Sequence, residues 1–272
     1  MELLKLIVVL MTFGRFSGAA DFDYDIQGNF YVIDRAANML VKYSPRGDSL
    51  VAVSGFGSGS LQFDDPAAVY ARRANDIYVA DDDNHRVQRF NRTLDYITTI
   101  HRRNEPEAKG RFGYPRDIAV TRQGDLLIVD GENARIAKID PFGEAQRSFG
   151  DINAGAGRLL EPSKIEVDDD DNAYVLDRHR LLQFDPFGSY VRDVPLPLNV
   201  RPVNISIDRD TLVVLCPDEV YLYDLATDSF VISYALESPG VAARLVGGRM
   251  VVLENRRCVV YALPEAPGDS GR

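Results

Sequence analysis

Short apolar runs in this chain close on a polar residue, cross a polar turn and resume, and the pattern is written six times. The clearest copy is Asn75-Asp76-Ile77-Tyr78-Val79-Ala80-Asp81-Asp82-Asp83-Asn84-His85-Arg86-Val87-Gln88-Arg89-Phe90. One run ends on Asp81. The next opens on Arg86 and an aliphatic residue and closes on a basic residue and an aromatic. Tyr, Val, Ile and Phe dominate the runs, while Gly, Asn, Asp and Pro punctuate them, which predicts strands and tight turns. Helical periodicity is missing, and long apolar runs such as residues 211–215 fit strands covered on both faces.

The other copies end their first run at Asp34, Asp130, Asp177, Cys216 and Glu254, so the six strand ends are spaced by 47, 49, 47, 39 and 38 residues. A unit of this length cannot bury its own apolar faces and must stack on its neighbours. Each unit reads as four short strands. In the second they are residues 68–70, 76–80, 86–90 and 95–100. The spacing and strand count predict an all-β, six-bladed propeller with four antiparallel strands per blade.

The run Asp-x-x-Asn-His-Arg-Val-x-Arg-Phe resembles the NHL repeat. So does the linker Gly-Arg-Phe-Gly-Tyr-Pro at residues 110–115, which recurs in weaker form at 59–66 and 157–162. The resemblance is strongest in the second and third units and faint in the last two, where Cys216 and Glu254 replace the terminal Asp. It implies the six-bladed propeller and leaves the ligand open.

The amino terminus supports two readings. Residues 1–19 hold a lysine, an apolar stretch and small residues, as a secretory signal does. Yet Gly14-Arg15-Phe16 followed by Asp21-Phe22 falls in register with Gly110-Arg111-Phe112 followed by Asp117-Ile118. In that register residues 6–11 supply the fourth strand that the last unit lacks, and so close the ring. The chain is exported under the first reading and cytoplasmic under the second. The apolar stretch is too short to span a membrane. Residues 20–263 form the propeller, and 264–272, rich in Pro, Gly and Ser, are expected to be a disordered tail. Cys216 and Cys258 sit at strand ends of neighbouring units, where a disulfide and two plain thiols both remain open.

With 45% apolar residues the chain can bury a large core as one repeat domain, expected to be a monomer. Its net charge of −10 disfavours nonspecific nucleic-acid binding. The turn after each second strand and the linker between blades emerge on one face, and the linkers after the first three units are the long ones. That face gathers His85, Arg102, Arg103, Phe112, Tyr114, Arg116, Arg178 and His179 as candidate ligand-binding residues, since arginine and aromatic side chains recognise anionic and planar groups. Asp34, Asp81, Arg86, Asp130, Arg135 and Asp177 recur with the repeat and are expected to pair structurally. The three histidines show no H-x-H or H-E-x-x-H spacing, and the acidic runs 81–83 and 168–171 lack a calcium-loop pattern, so no metal or cofactor is expected. No serine stands in a G-x-S-x-G setting. The leading expectation is a noncatalytic scaffold for a protein or peptide, with a glycan as a further candidate ligand. The alternative is a lyase or lactonase-type enzyme with a metal site at the channel end. Acidic ligands converging on the channel favour the enzyme.

Overall fold

Each repeat folds into a four-stranded antiparallel sheet whose spatial order is its chain order, and the last sheet is completed from the other end of the chain. The computed structural model describes residues 7–72, 76–101, 111–197 and 200–264. Strand β1 (Val8–Phe13) precedes the first full blade, β2 (Ala19–Tyr24), β3 (Phe30–Asp34), β4 (Met39–Tyr43) and β5 (Ser49–Ser54). Blade 2 holds β6 (Pro66–Tyr70), β7 (Asp76–Asp81), β8 (Arg86–Asn91) and β9 (Tyr96–Ile100). Blade 3 holds β10 (Pro115–Val120), β11 (Leu126–Asp130), β12 (Arg135–Ile139) and β13 (Ala145–Phe149). Blade 4 holds β14 (Pro162–Val167), β15 (Ala173–Asp177), β16 (Arg180–Phe184) and β17 (Tyr190–Val194). Blade 5 holds β18 (Asn204–Asp208), β19 (Thr211–Cys216), β20 (Glu219–Asp224) and β21 (Ser229–Ala235). Blade 6 holds β22 (Gly240–Val246), β23 (Arg249–Glu254) and β24 (Cys258–Ala262), with β1 on its outer edge. The first strands of neighbouring blades contact one another around the axis. The fold is therefore an all-β six-bladed propeller.

The core lies in six seams, one between each pair of adjacent blades. Buried Phe16, Phe63, Phe112 and Leu159 drop from successive linkers into four of these seams. Phe112 thus corrects the sequence reading. It is wholly buried between blades 2 and 3 and has no surface to offer a ligand. The repeat places an aromatic there because each wedge-shaped seam needs filling near the linker.

Strand β1 pairs antiparallel with β24, from Val8 opposite Ala262 to Phe13 opposite Cys258. It runs two residues beyond the expected segment at its far end, and Leu6 lies outside the described residues. Val8, Val9 and Leu10 are 58%, 45% and 49% exposed, so the strand is held by its backbone pairing, by buried Phe13 and by partly buried Met11. The Phe13 ring packs on Phe30 and Tyr43, at centroid distances of 5.0 and 5.2 Å. Cys216 and Cys258 are both buried free thiols. Of the expected tail, residues 265–272 lie outside the described residues.

Candidate functional site

In the first four repeats the recurring Asp holds the linker that precedes it. Asp81 accepts hydrogen bonds from the Asp64 backbone N–H (2.8 Å) and from Arg86 Nε (2.7 Å). The same guanidinium donates to the carbonyls of Ser58, Gly59 and Gln62 at 2.6 to 2.9 Å, clamping the loop over residues 55–63. Asp130 accepts from Gly113 N–H and from Arg135, whose other arm reaches the Arg111 carbonyl. Asp34 caps Ser17 and Gly18, and Asp177 caps Leu160 and Glu161. Burial pushes the Asp81 carboxyl upward, against its several donors.

Two candidates from different blades meet on this linker face. The Tyr114 ring packs edge-on against His85, with centroids 4.2 Å apart, and the Tyr114 N–H donates to His85 Nδ1 at 3.1 Å. Both residues sit at positive φ, 50° and 52°, a conformation that costs a non-glycine residue about 1–2 kcal/mol. Arg116 is exposed and donates to the Pro162 carbonyl, and exposed Arg178 is paired with Glu161. His179 lines a groove of about 510 Å³ with Arg180, Asp193, Leu196 and Arg201. Arg102 and Arg103 lie outside the described residues. The long linkers also expose Phe56 and Ile152, each 71% accessible.

An acidic trio, Asp65, Asp82 and Asp83, also gathers at the blade 1–2 junction. The Arg35 guanidinium binds Asp65 there and stands 3.6 Å from Asp82, whose carboxyl burial pushes up to about 6.

The axial channel holds a second constellation. Asp21, Asp23, Asp117 and Glu166 project from first strands together with Lys164 and Arg244, and Arg72 follows β6. Glu166 takes one arginine on each oxygen: Arg244 Nη1 on Oε1 and Arg72 Nη2 on Oε2, both at 2.6 Å. Arg72 Nε lies 3.0 Å from Asp23 Oδ1, Arg244 Nε lies 3.4 Å from the same oxygen, and Lys164 Nζ stands 3.8 Å from Asp21 Oδ1. The remaining oxygens tie neighbouring blades together: Asp21 Oδ2 accepts from Val69 N–H, Asp23 Oδ2 from Ala71 N–H, and Asp117 Oδ2 from Ile165 N–H. Burial works against ionised Glu166, but its two arginines hold it below its ordinary value. Burial pushes Asp117 up to about 7 against the pull of Lys164, and the charge of Asp21 adds to the push. Four carboxylates against three cations leave one charge in excess, and burial pushes the Asp23 carboxyl upward as well, against the pull of Arg72 and Arg244. Near this network the hairpin-side mouth narrows to a cleft of about 160 Å³, bounded by Tyr24, Tyr70, Asp208 and Arg209.

Sequence reasoning missed this network. The available signal was charge at alternate positions of otherwise apolar first strands, as in Asp21 and Asp23 or Lys164 and Glu166.

The NHL-repeat profile matches residues 63–90 and 112–139, in each case from the buried linker Phe to the end of the third strand or one residue short of it. These are NHL repeats. The NHL propeller is 24% identical over 111 residues to Protein brain tumor of Drosophila melanogaster, covering 39% of this chain and 11% of that protein. The matched region is thus about a tenth of its relative's length. Among solved structures, virginiamycin B lyase from Staphylococcus aureus superposes with a TM-score of 0.68 at 11% identity, over 95% of this chain and all of that one. A gluconolactonase from Xanthomonas campestris gives 0.70 at 12% identity, over 95% and 89%. At such identities the likeness to these enzymes shows the fold alone.

Proposed function

We propose that this NHL propeller is a noncatalytic binding scaffold whose linker face, over blades 2 to 4, receives a protein or peptide. One observation carries the reading: large apolar side chains stand exposed on loops that the repeat's own Asp and Arg hold rigid. Phe56 rides on the loop clamped by Arg86, Tyr114 is braced by His85, and Ile152 belongs to the linker anchored by Asp177. Rigid mounting lowers the entropy lost on association, so such groups make efficient anchors. The channel is consistent with this role, because three protein cations already lie among its carboxylates.

Those converging carboxylates are also what a lyase or lactonase reading draws on. It requires a cation to displace Arg72 or Arg244 from Glu166, which breaks one of the two buried ion pairs that hold this carboxylate. The test is affinity capture from extracts of the native cell, with wild-type protein and a Phe56→Ser/Tyr114→Ala/Ile152→Ser variant. The variant is expected to lose the wild-type partner while keeping its melting curve. Undiminished capture overturns the assignment of the face. Tight divalent-cation binding that disappears in Glu166→Gln favours the enzyme.

A further inference from the structure

The opposite face, built of hairpin turns, carries a feature that the repeat does not need. Blades 3 and 4 join their third and fourth strands through the same four residues, Asp140-Pro141-Phe142-Gly143 and Asp185-Pro186-Phe187-Gly188. Phe142 is 92% exposed and Phe187 70% exposed. Neither turn is loose. Asp140 Oδ1 accepts from the N–H groups of Phe142 and Glu144 at 2.9 and 2.8 Å, and Asp185 Oδ1 does the same for Phe187 and Ser189. Proline fixes one φ, and glycine supplies the left-handed position at 91° and 79°. The corresponding turn of blade 1, Ser44-Pro45-Arg46-Gly47, closes in the same way around the Ser44 hydroxyl and puts arginine where these two put phenylalanine. Turn formation therefore does not call for an aromatic ring, and at these exposures burial contributes little. The pair amounts to two rigid apolar posts in water.

Their spacing follows from the blade order. The blade 4 turn overhangs the outer strand of blade 3, where Arg147 donates to the Phe187 carbonyl at 2.7 Å and lies 5.9 Å from its ring centroid. The blade 3 turn likewise overhangs the outer strand of blade 2. A groove of about 380 Å³ separates Phe142 from Tyr78, Thr98, Ile100 and His101 there. The two rings stand on consecutive blades along one rim.

Charge says what the posts are suited to hold. Across the hairpin turns of blades 3 to 5, Glu144, Asp169, Asp170, Asp210 and Asp228 are exposed. Cations of this sector are fewer: Arg122 stands 3.6 Å from Asp171, Arg192 pairs with Asp228, Arg147 covers Phe187, and Arg209 is exposed in the turn between Asp208 and Asp210. An acidic field around exposed aromatic rings repels nucleic acid, and with a net charge of −10 it also opposes a second copy of this chain.

We propose that the hairpin-face rim of blades 3 to 5 is a docking surface for a basic segment of a partner protein whose apolar side chains pack on Phe142 and Phe187. It lies on the other side of the disc from the linker face, so the scaffold presents two independent surfaces.

A labelled synthetic peptide of alternating lysine and leucine, followed by fluorescence anisotropy at low salt, tests this. Wild-type protein is expected to bind it. A Phe142→Ser/Phe187→Ser variant is expected to weaken binding at least about tenfold, the equivalent of 1.4 kcal/mol. Asp169→Asn/Asp170→Asn/Asp210→Asn should weaken it and flatten its salt dependence, while Tyr114→Ala, on the opposite face, should leave it unchanged. Both rings are exposed, so the variants are expected to keep the wild-type melting curve. No binding by the wild type overturns the proposal. So does equal binding by the double Phe variant, or equal affinity for a glutamate–leucine peptide. Binding to phosphatidylcholine vesicles in place of the peptide also overturns it, in favour of a membrane surface.

Discussion

Arg86 shows how one residue serves sequence signature and architecture together. Its guanidinium binds a buried Asp81 and three carbonyls of the preceding loop, so the repeat consensus encodes a linker anchor. Asp117 makes the opposite case, a buried carboxyl whose charge the channel does not fully balance. Its folded value, about 7, lies above the ordinary 3.8, so the native state keeps a proton that the unfolded chain has released. The sign follows. Its stabilisation is full below about pH 4 and is lost as pH rises through about 7. Asp117→Asn keeps an oxygen for the Ile165 N–H and removes the titration. Between pH 5 and pH 7, wild type should lose stability relative to this variant as pH rises, with the slope easing toward pH 7. Urea unfolding of both proteins across that range measures it, and a constant difference would mean that Asp117 stays charged throughout.

At the scale of elements, β1 is anchored mainly by Phe13, with Met11 packed beside it. The register match of Gly14-Arg15-Phe16 with Gly110-Arg111-Phe112 made a closing strand legible in the sequence. The match could not show which strand residues are buried, because the outer strand of a blade has one side toward the seam and much of the rest toward water. The aliphatic residues that look like core, Val8 to Leu10, are the exposed ones, and Phe13 is the anchor. Phe13→Ala is expected to destabilise the protein by about 3–5 kcal/mol. Val9→Thr should stay within about 0.5 kcal/mol. Thermal or urea unfolding distinguishes this from a strand held by its aliphatic residues, for which the two values would be similar. The linkers divide in the same way. Tyr114 and His85 were nameable as surface candidates, whereas Phe112 in the same motif turned inward, because a motif gives residue type without giving direction.

At the scale of the whole molecule, blade number and strand order were legible because the repeat is local and each copy corroborates the next. The channel network was not, because its partners come from blades far apart in the chain. Arg244 and its acceptor Phe22 are 222 residues apart, and Arg72 and Glu166 are 94 apart. No local pattern couples such positions; only closing the ring brings them together. The two proposed surfaces occupy opposite sides of that ring, so each can be disabled while the other is left intact.

Ring closure also sets how the molecule answers to force. Val8 lies opposite Ala262, so the leading end of β1 and the trailing end of β24 emerge side by side at one corner of blade 6. Tension applied between the chain ends meets the β1–β24 hydrogen bonds one after another, as a zipper does, instead of loading them all in parallel. In an optical trap, the propeller held by its two ends should open first by peeling β1 at low force. The same protein held between β5 and β17, across the disc, should resist until whole blades separate. A closure that joins the first strand to the last is thus strong against thermal opening and weak along one mechanical direction.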